Sequence, residues 1–301
     1  MSVLDLNTGT PTPALLVTAE WLSFVETLSP DNLEWAVLEA ARHAAAAGFA
    51  GLEIPLPHAE PFAKTHGTVF WSGIAKQLRN EGVPIRTIHG PTFSPLTVST
   101  SDAIEKLRFT AEVAMACAAE VVVVHPTPHT HPHVTPIASR LLARDVEVST
   151  AVAEMLSGPT RLAVENLPTY GLAHLDRLMA EATHERVGVC FDTGHWSVRP
   201  EDRLDQAIAR FASRIIHWHL SDNDGWTDQH LAPGMGSIDW QLWMDALDES
   251  LLKLPMLVEL SVALMQHDPS APSIAQAQWR EAYTSASSTL ESIIYLNRTA
   301  N

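Results

Sequence analysis

The chain is short of basic residues. Its 301 residues contain 19 Lys and Arg against 35 Asp and Glu, a net charge of −16. A phosphate backbone is gripped by clustered Lys and Arg, and no dense basic stretch occurs, which opposes a general nucleic-acid role. Cysteine is almost absent too. Cys117 and Cys190 stand alone in apolar surroundings (AMACAAE and VGVCFD) and read as buried thiols, so nothing suggests a disulfide framework. No apolar run approaches the ~18–20 residues that span a bilayer. The start, MSVLDLNTGTPTP, lacks the basic stretch and apolar run of a signal peptide, so the expected location is cytoplasmic. GxGxxG after a strand and the Walker pattern are both missing, which removes support for a nucleotide cradle.

What is present is a substantial apolar fraction, 46%, arranged in an alternating pattern. Short β-branched runs recur at Ala14–Val17, Gly51–Ile54, Ile85–His89, Val121–His125, Leu162–Glu165, Gly188–Asp192, Ile215–His219 and Met256–Glu259. Helical spacing fills the intervals at Asn32–Ala46, Asp102–Ala118, Pro136–Ser157, Leu172–Ala182, Leu204–Ala212, Asp239–Leu247 and Ser273–Leu296. Ser101 or Asp102 is the expected N-cap of the second of these, with Glu105 closing a capping box.

Eight such strands point to a parallel α/β fold, either an open doubly wound sheet or a closed (β/α)8 TIM barrel. Polar groups close most of the strands instead of clustering at one switch point, which favours the barrel. A barrel needs about 250 residues, so one domain over residues 1–301 accounts for the chain. Turn-rich loops follow the strands: PLPHAEPF, GPTFSPLT, PTPHTHPHVTP and SDNDGWTDQHLAPGMGS. Those are the loops that line the active mouth of a barrel. His129, His131 and His133 in the third of them read as a solvated loop.

Four strands end in a metal-ligand side chain. AVEN ends in Glu165, CFDTGH supplies Asp192 and His195, IIHWHLSDN supplies His219, and MLVEL ends in Glu259. Any one acid could be a salt-bridge partner or a cap; the repetition at successive strand ends argues for a site. Glu165, Asp192 and Glu259 buried together would repel one another strongly, and a divalent cation resolves that conflict. Carboxylates with one imidazole and no thiolate suit Mn, Mg, Co or Zn. The mouth loops carry Pro, Thr, Ser, His, Asp and Trp, with Arg199 as the main basic exception. Such a mouth suits a neutral sugar or polyol, with Trp71, Trp196 and Trp226 as candidate stacking faces.

From about Leu33 to Leu296, the motifs GFAGLEI, IHGP, VVVVHP, AVEN, FDTGH, HLSDN with DQHLAPGMGSIDW, and LVEL resemble, in order and spacing, the xylose-isomerase-like TIM barrels. That group includes sugar isomerases and epimerases, inosose dehydratases and endonuclease IV. The resemblance implies one divalent metal on Glu165, Asp192, His219 and Glu259. It implies proton transfer by Glu165 and Glu259 on opposite faces of a substrate carbon, and contact of His195 with a substrate hydroxyl. The endonuclease IV pattern adds His89, His125, His195, Asp228 and His230 as further candidate ligands, which allows up to three ions. His89 and His125 could equally line a sugar pocket, and Asp228 and His230 could order their loop.

The expected function is a metal-dependent sugar or cyclitol isomerase or epimerase of carbohydrate metabolism. The alternative is a multinuclear zinc phosphoester hydrolase, or a lyase or dehydratase on the same scaffold; a non-catalytic barrel is a third reading. Two departures count against a ketohexose 3-epimerase of the usual pattern. Gly171 and Gly225 stand where that group carries a glutamate and an arginine. The expected partner is a small sugar or polyol, not nucleic acid or membrane, and relatives often form homo-oligomers.

Overall fold

In a computed structural model the chain is described at residues 3–4, 11–12, 14–18, 33–94, 97–127, 135–168, 171–198, 200, 202–260, 281 and 283–294, with the side chains of 57–66, 135–138 and 171 left aside. Eight parallel strands close into a barrel: β1 Leu15–Thr18, β2 Leu52–Pro55, β3 Ile85–His89, β4 Val121–Val124, β5 Arg161–Glu165, β6 Val187–Asp192, β7 Ile215–Leu220 and β8 Met256–Val258. Each strand pairs with its chain neighbour, and β8 closes the ring on β1. Helices alternate with them: α1 Leu33–Ala46, α2 Leu56–Asn80, α3 Thr100–Cys117, α4 Thr135–Met155, α5 Gly171–Glu181, α6 Thr193–Ser197, α7 Leu204–Phe211, α8 Trp240–Asp245 and α9 Glu249–Leu252. Residues 283–294 form a last helical stretch, whose Tyr283 hydroxyl donates to Thr18 O at 2.5 Å and ties it to the end of β1. Outside the barrel, Val3–Leu4 pairs antiparallel with Pro11–Thr12. No helix among the described residues is long and apolar enough to cross a membrane.

The two-residue period of each strand divides its side chains between two environments. Outward residues such as Val17, Ile54, Val122, Leu162, Phe191, Trp218 and Val258 join the helices in the main apolar core. Inside the barrel, Val121, Val123, Ala163, Cys190 and Ile216 make a small apolar floor. Above that floor the inward positions turn polar: Thr18, Glu53, Thr87, Glu165, Asp192, His217 and His219 are all buried. Register shifts at Leu52/Glu53 against β3 and at Val189/Cys190 against β7 each insert one residue. Because a one-residue slip reverses every later side chain, the second shift sets Ile216 against the floor while His217 and His219 still face inward.

Two local expectations are corrected. The N-cap of α3 is Ser99, not Ser101 or Asp102: its Oγ accepts from Asp102 N at 3.1 Å and donates to the Asp102 carboxylate at 2.7 Å. The PLPHAEPF segment is not a loop, since helix starts at Leu56 directly after β2. It is interrupted at Gly67, whose φ of 61° is non-helical. The sequence pattern hides it because Pro57, Pro61 and Gly67 interrupt the helical periodicity.

Candidate metal centre

The four strand ends meet. Glu165 closes β5, Asp192 closes β6, His219 is the penultimate residue of β7, and Glu259 follows β8 by one residue, its N–H donating to Leu220 O at 3.1 Å. One ligand atom from each lies within 4.8 Å of the others. His219 Nδ1 stands 2.8 Å from Glu259 Oε2, 3.5 Å from Glu165 Oε1 and 3.8 Å from Asp192 Oδ2. These same four atoms are buried and make no hydrogen bond. Orphaned buried polar atoms are costly. Three carboxylate oxygens and an imidazole nitrogen converging without partners are a donor set that fits one hard or borderline divalent ion.

Local structure explains why those atoms are left over. Asp192 is also the N-cap of α6, with Oδ1 accepting from His195 N at 2.7 Å, which leaves Oδ2 turned into the cluster. Asn166 stitches β5 to β6: its amide accepts from Asp192 N at 2.7 Å and donates to Asp192 O at 2.9 Å. Glu165 Oε2 faces His89 Nε2 at 3.2 Å and His125 Nε2 at 3.0 Å, and Oε1 faces His195 Nδ1 at 3.0 Å.

The loop after β7 completes the rim. An isolated antiparallel bridge joins Asp222 and Leu231, and the Asp222 carboxylate accepts from Gly234 N, Ile238 N and Trp240 Nε1 at 2.8–3.1 Å. So held, Asp228 reaches His195 Nε2 and His230 Nε2, each at 3.2 Å. His230 adopts a left-handed φ of 49°, a strained backbone of the kind found at functional sites. His89, His125 and Glu165 form one further potential ligand triad, and His195, Asp228 and His230 another.

The electrostatics follow from burial and charge. Burial disfavours the charged form of His89, but the Glu165 hydrogen bond and the Glu53 charge outweigh it and lift the imidazolium to about 9. Burial likewise opposes His230, yet Glu259 and Asp228 raise it to about 9. Asp192 is pushed up to about 7, mainly by burial. Burial also opposes ionisation of Glu259, but His219 and His230 draw it down to about 2. Glu165 stays well below the carboxylate range because His219 and His125 overcome its burial.

Every candidate ligand of the expected set, Glu165, Asp192, His195, His219, Glu259, His89, His125, Asp228 and His230, thus reaches the same mouth. Above it lies a cavity of about 290 Å³, lined by Thr18, Thr92, His89, His125, His195, Asp228 and Glu259 among others, with no Lys or Arg among the described residues that line it. Arg199 lies outside the described residues, as do His129, His131 and His133. Trp71 is not a stacking face: it is fully buried on α2, in the core outside the barrel. Trp196 packs against the same core, while Trp226 is exposed. Gly225 holds φ 82°, a conformation that an arginine would adopt only with strain.

Sequence reasoning missed Glu53 and His217, both fully buried inside the barrel. Their signal was a charged residue inside GLEI and a second histidine two positions before His219.

Comparison with known proteins agrees with this architecture. Residues 41–283 match the family described as xylose isomerase-like TIM barrel. The uncharacterized protein y4fM of Sinorhizobium fredii is 34% identical over 83 residues, a stretch that spans 28% of this chain and 26% of that relative's length. Among solved structures, a D-tagatose 3-epimerase-like protein superposes with TM-score 0.70 at 18% identity, covering 96% of this chain and 100% of the other. L-ribulose 3-epimerase superposes with TM-score 0.71 at 14% identity, covering 96% of each. The chain belongs to the xylose isomerase-like TIM barrel family.

Proposed function

We propose that the protein is a divalent-metal-dependent isomerase or epimerase of a neutral sugar or cyclitol, working by proton transfer at a carbon next to a carbonyl. The observation that carries this reading is the set of four unpartnered ligand atoms on Glu165, Asp192, His219 and Glu259 at the strand ends. Those residues would hold the ion. When bound, a divalent ion supplies Lewis-acid polarisation of substrate oxygens. Glu165 and Glu259 arise from strands on different sides of the mouth, β5 and β8, and serve as the pair that removes a proton and returns it on the opposite face. His195, with Nδ1 held by Asn166 O at 2.8 Å and Nε2 3.2 Å from Asp228, lines the cavity and serves a substrate hydroxyl there. The acidic and imidazole lining, with no Lys or Arg among its described residues, suits an uncharged polyol better than a phosphate ester. Structural likeness to sugar epimerases supports the same class of substrate.

A second reading has its own observation. The triads His89–His125–Glu165 and His195–Asp228–His230 give the mouth room for two more ions, which is the arrangement a multinuclear zinc phosphoester hydrolase requires. A lyase or dehydratase would share the single-ion arrangement. Metal content separates the main readings. Protein purified without chelator and measured by plasma mass spectrometry is expected to hold one divalent ion per chain. Three tightly held zinc ions would favour the hydrolase.

A further inference from the structure

Glu53 sits on β2 and its side chain crosses the barrel interior to β7. It is fully buried, and its Oε2 lies 3.3 Å from His219 Nε2. Histidines are the ion-pair partners found for it among the described residues, the other being His217 Nε2 at 3.8 Å. The opposite nitrogen of the His219 ring, Nδ1, faces the carboxylates of Glu259, Glu165 and Asp192 and is otherwise unpartnered. A neutral imidazole carries one proton, and a carboxylate can only accept. With Glu53 at Nε2, the proton belongs there and the Nδ1 lone pair is left for the cluster.

We infer that Glu53 is a positioning residue that fixes the tautomer and ring orientation of His219 for metal binding. This rests on the metal reading above. The register supports it. Thr18, Glu53 and Thr87 are Cα partners across β1, β2 and β3, so the strand pairing places Glu53 in the row that faces the barrel axis. The shift between β6 and β7 turns His219 toward that row. Two irregularities of the barrel thereby meet in one contact. A carboxylate behind a ligating imidazole raises the basicity of the ligand and holds its plane, and removal of such a partner costs about 10–100-fold in metal affinity.

The test compares metal-free wild type, Glu53→Leu and Glu53→Gln. Each is titrated with Mn2+ by electron paramagnetic resonance, and each is loaded with Zn2+ for the 15N–1H spectrum of its histidine side chains. Glu53→Leu is expected to weaken Mn2+ binding by about 10–100-fold and to lose the hydrogen-bonded Nε2–H signal of His219. Glu53→Gln keeps an acceptor oxygen, so it retains that signal and binds more tightly than Glu53→Leu. Wild-type affinity and an intact signal in Glu53→Leu would overturn the inference, as would equal damage in both variants. Should Glu53→Leu fail to fold, Glu53→Gln decides alone: the signal retained supports the role, the signal lost refutes it. Wild type that takes up neither ion sinks the metal reading itself, before any variant is compared.

Discussion

Glu165 has two oxygens and four histidines around them: His89 and His125 on one, His195 and His219 on the other. A carboxylate so placed stays ionised, as a base must. Glu259 is held ionised by His219 and His230. Glu165→Gln and Glu259→Gln are each expected to lower turnover by about 10²–10⁴-fold while far-ultraviolet circular dichroism stays unchanged; full activity in either variant contradicts the proton-transfer pair. The histidines give a pH signature in the metal-free protein. His89 and His230 rise from an ordinary 6.5 to about 9 on folding. Their contribution to stability is therefore complete below about pH 6.5 and is lost as pH rises through 9. Asp192, raised from 3.8 to about 7, acts in the same direction, since its ionisation is disfavoured in the fold. Melting temperature of the metal-free protein should fall between pH 6.5 and 9. A bound cation, which takes over the counter-charge of Glu165 and Glu259, should flatten that fall. A melting temperature that rises over this interval contradicts the assignment.

Elements were legible where period and terminal chemistry coincide. The strand ends at Glu165 and Asp192 fall where the alternating pattern places them. The quartet of candidate ligands was readable because its members stand at or beside the ends of apolar runs. Glu53 was not: it sits inside its run, and its partner His219 is 166 residues away. The barrel bulges have no local signature, so the inward turn of His217 could not be read either. α2 was hidden by Pro57, which the first turn of a helix tolerates, and by Pro61 and Gly67 farther along. The loop after β7 gives a prediction at this scale. A Cβ on Gly236 would lie 2.3 Å from Asn223 O and 2.4 Å from Asp222 Oδ1, the groups that order this loop. Gly236→Ala should therefore cost about 1–3 kcal/mol. Gly73, exposed in α2 with nothing within 4 Å, is the control; Gly73→Ala should stabilise by about 0.5–1 kcal/mol. Urea denaturation reads both, and a neutral Gly236→Ala would show that the loop gives way.

At the scale of the molecule, the barrel separates stability from chemistry. The outward strand faces and the helices form the main core, while the inward faces carry a floor of five apolar side chains and a polar layer above it. Acidic net charge, and a cavity with no Lys or Arg among the described residues that line it, disfavour polyanions at this mouth. The α/β class followed from eight alternations, and the polar strand ends chose the closed barrel over an open sheet.

The most direct measurement of the central claim is solvent hydrogen exchange in D2O. Metal-loaded protein is incubated with a panel of free ketoses and inososes, and carbon-bound protons are followed by NMR. The account predicts deuterium at a carbon adjacent to the carbonyl of at least one of them, abolished by chelation and by Glu259→Gln. No exchange into any member of the panel, together with metal-dependent cleavage of a phosphoester, would contradict it.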